Sequence, residues 1–168
     1  MPSILFVCTA NQFRSPLAAA ILNRLIRSDS PPGSWLVESA GTWTEPGQPA
    51  ASIAVKLASQ LGLPGLKEHK TRQVSQQLLD GYDLILVMEK GQLEGIVSEF
   101  HNLSGRLMLL SRVVDGLPYD IPDPVSQKNA PEEVVSELQT LIERGKDKIL
   151  SLAASIHSAR QISNTAGQ

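Results

Sequence analysis

Residues 3–16 read Ser-Ile-Leu-Phe-Val-Cys-Thr-Ala-Asn-Gln-Phe-Arg-Ser-Pro. The apolar run at residues 4–7 is rich in β-forming side chains, which is typical of a strand buried on both faces of a parallel sheet. That run stops at Cys8. Ser15 and Pro16 then predict a helix start, with the serine as N-cap and the proline at the first helical position, where its missing N–H costs nothing. The stretch therefore predicts a strand, a short loop and a helix.

The loop begins with a cysteine and ends with an arginine. A loop that enters a helix N-terminus can turn several backbone N–H groups toward one point and form an anion-binding nest. Those amides and the Arg14 guanidinium favour the ionised Cys8 thiol near neutral pH. Arg14 can also bind two phosphate oxygens at once. We therefore predict a Cys8 nucleophile facing a bound phosphate, against the alternative of a small buried hydrophobe at a strand end. The predicted phosphate-binding residues are Thr9, Ala10, Asn11, Gln12, Phe13, Arg14 and Ser15.

The segment from Cys8 to Pro16 resembles the phosphate loop of the low-molecular-weight protein tyrosine phosphatases, of the bacterial type. A Cys and an Arg at this spacing are common by chance, whereas strand, loop, Ser-Pro pair and helix together are specific. Residues 38–41, which read Glu-Ser-Ala-Gly, also match the family, as do residues 82–89, which contain a predicted strand that begins at Asp83. The resemblance covers about residues 3–155.

The predicted fold class is α/β, a three-layer doubly wound sheet of four parallel strands in flavodoxin-like order with the phosphate loop after the first strand. Strands that alternate with helices imply right-handed crossovers. Ligands of such sheets bind beyond the strand C-terminal ends, which is where Cys8 falls. We expect a single domain at residues 1–157, closed by a helix at residues 131–156, and a frayed tail at residues 158–168.

The resemblance implies a catalytic aspartate in the Ile-Pro-Asp-Pro segment, which makes Asp123 the candidate and Asp115 and Asp120 weaker ones. Flanking prolines restrict the backbone there. In the implied mechanism the Cys8 thiolate attacks the phosphate, Arg14 and the loop amides stabilise the equatorial oxygens, and Asp123 protonates the leaving oxygen. Asp123 then activates the water that hydrolyses the cysteinyl-phosphate.

The resemblance also implies a group of supporting residues around the loop. Asn11 stabilises the loop backbone, Ser39 hydrogen-bonds toward Asn11, and His69 supports the same network. The Ser15 hydroxyl stabilises the thiolate as a leaving group. Without the resemblance, Ser39 would be read as a plain strand-end hydroxyl and His69 as an ordinary surface or core histidine.

The sequence departs from the family at three positions, Ala10, Phe13 and Val125. Ala10 replaces a usual glycine and would be strained if the backbone needs a positive φ. Phe13 replaces a second loop cysteine, so that no protective disulfide can form. Val125 replaces the tyrosine that follows Asp-Pro, which removes an aromatic wall. The predicted substrate-cleft residues are Phe13, Trp43 and Val125, with Trp43 in a Gly- and Pro-rich surface loop.

Composition narrows the function classes. The 168-residue chain has a net charge of −2 and a pI of about 5.9, which argues against nucleic-acid binding. Its one cysteine provides no partner for an internal disulfide. The histidines, at 69, 101 and 157, have no metal-ligand spacing, so no metal or other cofactor is expected. With neither a signal peptide nor an apolar run of membrane-spanning length in the sequence, we expect a cytoplasmic enzyme without membrane insertion.

The function implied by the resemblance is metal-independent hydrolysis of protein phosphotyrosine. Its expected partner is a tyrosine-phosphorylated protein, such as a bacterial tyrosine kinase, and its expected state is a monomer or weak dimer. Two alternatives remain open: a phosphotyrosine-binding module with weak or no turnover, and an arsenate reductase that uses an external thiol. Reductases that relay electrons within the chain need additional cysteines, which this sequence lacks, so only the version with an external thiol remains.

Overall fold

The computed structural model describes residues 1–63, 65–124 and 130–166. The strands are β1 Ser3–Cys8, β2 Leu36–Gly41, β3 Leu84–Val87 and β4 Leu107–Leu109. The helices are α1 Arg14–Asp29, α2 Ser52–Gln60, α3 Gln76–Asp80, α4 Lys90–Glu99, α5 Leu110–Asp115 and α6 Pro131–Ala166. Leu66–Glu68 form a 3₁₀ turn.

The strands form one parallel sheet in the order β2-β1-β3-β4. The fold prediction is therefore confirmed, including the loop that follows β1. Cys8 pairs with Gly41 at the C-terminal end of β1, at the edge of the sheet where ligands of doubly wound folds bind.

Alternate residues of β1 belong to two hydrophobic cores. Ile4 and Phe6 lie in the core that also contains buried residues of α1 and α6. Leu5 and Val7 lie in the other core, with buried residues of α3 and α4. All four side chains have 0% exposure, and each contributes about 1.5–3 kcal/mol by leaving water. The central strand is thus held from both sides, which gives the loop after it a rigid base.

Helix α1 begins earlier than the sequence predicts. Phe13 is its N-cap and makes no side-chain cap hydrogen bond, so the predicted Ser15 N-cap is wrong. The Ser15 hydroxyl is instead within hydrogen-bonding distance of Cys8 and Ala40. Pro16 falls at the third helical position, where an N–H would still lack an intrahelical acceptor.

Helix α6 continues to Ala166, beyond the predicted end at residue 156. Arg160, in the segment predicted to fray, donates to Asp83 Oδ1 at 2.9 Å and to the Tyr82 carbonyl at 2.8 Å. Asp83 is buried and directly precedes β3. This ion pair gives the last turns of α6 a tertiary partner that the weak polar pattern of the sequence did not reveal.

Gly145 lies in the middle of α6, directly against α5. A Cβ atom at this position would collide with Val114, with Cγ1 at 2.7 Å and Cγ2 closer still. Gly145→Ala should therefore lower the free energy of unfolding by about 1–2 kcal/mol. Overpacking costs about 1–3 kcal/mol, whereas the better helix propensity of alanine stabilises the helix by at most about 1 kcal/mol. Urea denaturation measures the change.

Gly95→Ala is the matched control for this helix position. Gly95 lies inside α4, and a Cβ atom there would meet no atom within 4 Å. This variant should gain about 0.5–1 kcal/mol from helix propensity alone. If both substitutions changed stability with the same sign, the packing argument for Gly145 would be wrong.

Candidate active site

Cys8 ends β1 and has 2% exposure. The start of the loop is held against the segment after β2, since Thr42 N–H donates to the Cys8 carbonyl at 2.9 Å and Trp43 N–H donates to the Thr9 carbonyl at 3.0 Å. The sulfur is 3.0 Å from the Ser15 hydroxyl oxygen. A Ser15 O–H that donates to a thiolate here would stabilise it.

The loop presents a series of backbone donors. Within the described part of the chain, none of the N–H groups of residues 9–15 donates to a protein acceptor. The loop runs into the N-terminus of α1, whose dipole favours a negative charge. Donors of this kind around a cysteine can bind a tetrahedral anion.

Asn11 is the residue that holds the loop in shape. Its φ is +56°, in the left-handed region, where asparagine is among the better tolerated residues. Its side-chain amide donates at 2.9 Å to both Ser15 Oγ and Ser39 Oγ. Its Oδ1 accepts from Arg72 N–H at 2.9 Å. Ala10 does not have a positive φ, so the strain considered for an alanine there does not arise.

His69 supports the same residue from the other side. Its Nε2 is 2.7 Å from the Asn11 carbonyl, to which a neutral imidazole can donate. Burial lowers the pKa of His69, despite the opposing effect of this hydrogen bond. The ring is thus neutral at pH 7, and the stability that depends on a neutral ring is present above its ordinary pKa of 6.5 and is lost as pH falls through the lowered value.

Gly41 permits the loop to pass close to β2. A Cβ atom at this position would lie 2.6 Å from the Thr9 carbonyl oxygen and 3.0 Å from Asn11 Cβ. Gly41→Ala should lower kcat/KM for an aryl phosphate by roughly 10–100-fold, because the clash is with loop backbone that must move. Steady-state kinetics measure the effect. Gly95→Ala should leave kcat/KM unchanged, and a Gly41→Ala enzyme with normal kcat/KM would refute the argument.

Arg14 has 2% exposure and is oriented by two acceptors. Its Nη1 donates to Glu89 Oε1 and, at 2.8 Å, to the Ile121 carbonyl. Its other terminal nitrogen, Nη2, is 3.8 Å from Asp123 Oδ2. The sequence offered no signal for Glu89, which precedes α4 and is distant in the chain.

The three candidate aspartates have different surroundings. Asp123 is near Arg14 and its side chain is 26% exposed. Asp120 Oδ1 accepts from Lys90 N–H at 2.8 Å. Asp115 accepts from Tyr119 OH and Arg144, each at 2.6 Å, and these bonds lower its pKa. Asp123 is thus the candidate that the fold brings to the guanidinium of the loop.

Gln92 connects the loop to α4 and was not singled out from the sequence. Its Nε2 donates to Thr9 Oγ1 at 3.1 Å, while its Oε1 accepts from Met88 N–H and Glu89 N–H at 3.0 Å. With 5% exposure it is almost fully buried. Hydrogen-bond patterns of this kind depend on tertiary placement and have no sequence signature.

The predicted cleft residues differ in their exposure to solvent. The Trp43 side chain is 84% exposed on the loop after β2. Phe13 has 4% exposure and belongs to the core on the α1 side of the sheet. Val125 lies outside the described residues. Of the predicted cleft residues that are described, Trp43 is therefore the one with an exposed ring, in a segment whose backbone bonds to Thr9.

This arrangement of loop, strand and helix agrees with a match over residues 3–162 to the family model of the low molecular weight phosphotyrosine protein phosphatases. The chain belongs to that phosphatase family. The family prediction made from the loop is therefore confirmed.

Relatives in the phosphatase family include proteins with two named substrates. A protein-arginine-phosphatase of Geobacillus stearothermophilus is 33% identical over 87% of this chain and 95% of its own. The low molecular weight protein-tyrosine-phosphatase Wzb of Escherichia coli K12 is 34% identical over 84% and 88%. The crystal structure of Wzb from Escherichia coli K30 in complex with sulphate superposes with a TM-score of 0.74 at 32% identity, over 89% of this chain and 99% of that one.

Among the described residues of this phosphatase, no group of three or more His, Cys, Asp or Glu side chains is arranged to hold a metal ion. None of the described helices combines the length and apolarity needed to cross a bilayer.

Proposed function

We propose that this phosphatase hydrolyses protein phosphotyrosine through a cysteinyl-phosphate on Cys8. The observation that carries the proposal is the run of N–H donors at residues 9–15 that have no acceptor in the described part of the chain, in a loop where Cys8 lies beside Ser15 and Arg14 lies near Asp123. This grouping supports the assignment of a nucleophile, an anion site and an acid to one site.

In the first displacement, the Cys8 thiolate attacks phosphorus and the bond to the aryl oxygen breaks. The loop amides and the Nη2 side of Arg14 stabilise the equatorial oxygens. Glu89 and the Ile121 carbonyl hold Nη1, so the guanidinium is oriented before substrate binds. Asp123 gives its proton to the leaving phenolate oxygen.

In the second displacement, the Asp123 carboxylate takes a proton from water and the water oxygen attacks phosphorus. The sulfur–phosphorus bond breaks and inorganic phosphate leaves. The Ser15 hydroxyl, 3.0 Å from the sulfur, stabilises the thiolate that re-forms.

The depth of Cys8 supports a preference for tyrosine. With 2% exposure, the sulfur lies below the protein surface. A phosphotyrosine ring is long enough to carry its phosphate to that depth, whereas the short phosphoserine side chain is not. Trp43 has an exposed ring, and its backbone bonds to Thr9 of the loop, so we expect the ring to stack with the substrate.

Phosphoarginine is the second candidate substrate. The observation in its favour is the 33% identity to a protein-arginine-phosphatase, about the same as the identity to the tyrosine phosphatase Wzb. A phosphoarginine side chain is also long, and its nitrogen leaving group needs a proton that Asp123 could supply.

A peptide assay separates these functions. One peptide carrying phosphotyrosine, phosphoarginine or phosphoserine at the same position is incubated with enzyme in chelator, and released phosphate is measured. We expect kcat/KM for phosphotyrosine to exceed the other two values by at least about tenfold. A preference for phosphoarginine would reassign the substrate. Binding without release would favour a binding module, and turnover of arsenate with an added thiol would favour a reductase.

The other functional expectations also belong to this proposal. A tyrosine-phosphorylated protein, such as a tyrosine kinase, is the partner that suits a phosphotyrosine phosphatase. Cytoplasmic location and a monomeric or weakly dimeric state remain predictions. Fractionation and light scattering test them.

A further inference from the structure

A cavity of about 370 Å³ lies between the outer face of α1, the edge strand β2 and residues 65–72. Among the residues described, its lining includes neither the loop residues 8–15 nor Asp123. It is therefore a concavity apart from the site of phosphate chemistry. Its size is at the lower end of the range of small-molecule sites.

The lining of this cavity is strongly cationic. Arg24, Arg27, Lys70 and Arg72 all line it, whereas Glu38 is its one carboxylate among the described residues. Glu38 is already engaged, because its Oε2 lies 3.0 Å from Arg72 Nη1 and also accepts from a tyrosine hydroxyl. The cavity thus has a surplus of positive charge in a protein whose net charge is −2.

Two of these cations have unused binding capacity. The side chains of Arg27 and Lys70 are exposed and have no hydrogen-bond or ion-pair partner in the described part of the chain. Arg24 donates to the Leu61 carbonyl at 2.7 Å through Nη1 and is 3.5 Å from a glutamate through Nη2. Two unpaired cations and a partly paired one can together bind several anionic oxygens.

The rest of the lining combines small apolar side chains with the polar Asn23, Ser39 and His69. The apolar members of the lining are Pro16, Ala19 and Ala20 of α1, together with Val37 and Leu66. A cavity that combines these apolar side chains with cations suits a ligand that has an apolar or aromatic portion and several anionic groups. Inorganic phosphate alone would use only the cations.

We propose that this cavity binds an organic polyphosphate of the nucleoside triphosphate type, with its phosphates on Arg27, Lys70 and neighbouring cations and its base on the α1 surface. The bound molecule is a ligand and not a substrate, since Cys8 does not line the cavity.

The proposed ligand would be linked to the phosphate loop through shared residues. His69 and Arg72 line the cavity and also bond to Asn11, at 2.7 and 2.9 Å. The Arg72 guanidinium donates to the Ser39 carbonyl, and a bound polyphosphate would compete for it. Because both ligands are anions, we expect the polyphosphate to weaken binding at the loop, and linkage requires the effect to be reciprocal.

Isothermal titration calorimetry with ATP in chelator tests the proposal, in the presence of a saturating aryl phosphonate that occupies the phosphate loop. The test variant is Arg27→Ala/Lys70→Ala. The matched control is Lys56→Ala/Arg112→Ala, which removes the same charges from two exposed positions outside the cavity. Neither pair belongs to the catalytic machinery, so phosphatase turnover should be unchanged in both and reports on correct folding.

We expect one ATP per chain, at least tenfold weaker binding in the cavity variant, and unchanged binding in the control. Tripolyphosphate should bind more weakly than ATP, and ATP should raise the dissociation constant of the phosphonate about threefold. The proposal is overturned if the native protein binds no ATP under these conditions, or if both variants lose affinity equally. Equal binding of tripolyphosphate and ATP would refute the role of the apolar surface, and an unchanged phosphonate affinity would refute the link through Asn11.

Discussion

Cys8→Ser should reduce aryl phosphate hydrolysis by about 10⁴-fold or more. The serine hydroxyl remains protonated at neutral pH and cannot replace a thiolate as nucleophile or as leaving group. Loss of a nucleophile removes a whole catalytic unit, so the effect is larger than that of any supporting residue. Single-turnover kinetics with 4-nitrophenyl phosphate measure it.

The Cys8→Ser variant should still bind a substrate analogue. The N–H donors of residues 9–15 and the Arg14 guanidinium are unchanged by Cys8→Ser, so the dissociation constant of an aryl phosphonate should stay within about threefold. Calorimetry gives this value, and thermal unfolding shows whether the variant is folded. A folded variant with near-native turnover would remove Cys8 from the mechanism.

Asp123→Asn should lower kcat for phenyl phosphate by roughly 10²–10⁴-fold, the usual contribution of a general acid. Asparagine keeps the size of the side chain beside Arg14 but cannot give up a proton. The loss should be smaller for 4-nitrophenyl phosphate, because nitrophenolate leaves without much protonation. Comparing the two substrates therefore distinguishes lost proton transfer from a displaced loop.

Asp120→Asn is the control for the neighbouring carboxylate. Asp120 accepts from the Lys90 N–H at the start of α4, and an asparagine oxygen can accept the same bond. Turnover of both substrates should stay within about twofold. Equal losses for the two substrates in Asp123→Asn, or a large loss in Asp120→Asn, would contradict the assignment of the acid.

The fold could be predicted because its decisive features are local. The apolar run of β1 has to be buried on both faces, and a strand of that kind occurs in sheets covered by helices on both sides. The functional residues of the loop are also close together in the sequence, since Cys8, Asn11, Arg14 and Ser15 lie within eight consecutive positions. Periodicity and short motifs report such features well.

Some of the contacts that support the loop could not be predicted from the sequence. Glu89, Gln92 and Arg72 are far from the loop along the chain and reach it only after β3, α4 and the segment after the 3₁₀ turn have packed. The misplaced N-cap has a similar origin. Ser15 has the residue type of a cap, but tertiary partners at Cys8 and Ala40 compete for its hydroxyl.

The ion pair between Arg160 and Asp83 has a practical consequence for attaching tags. Asp83 also accepts from the Ser3 N–H at 2.9 Å, so one carboxylate brings the beginning of β1 together with the late turns of α6. Ser3 and Cys8 occupy opposite ends of β1, roughly 16 Å apart at about 3.3 Å per residue. A purification tag or surface tether joined before Ser3 or after α6 would therefore emerge on the side away from Cys8, and immobilised protein would keep the face that carries Cys8 open to large phosphoproteins.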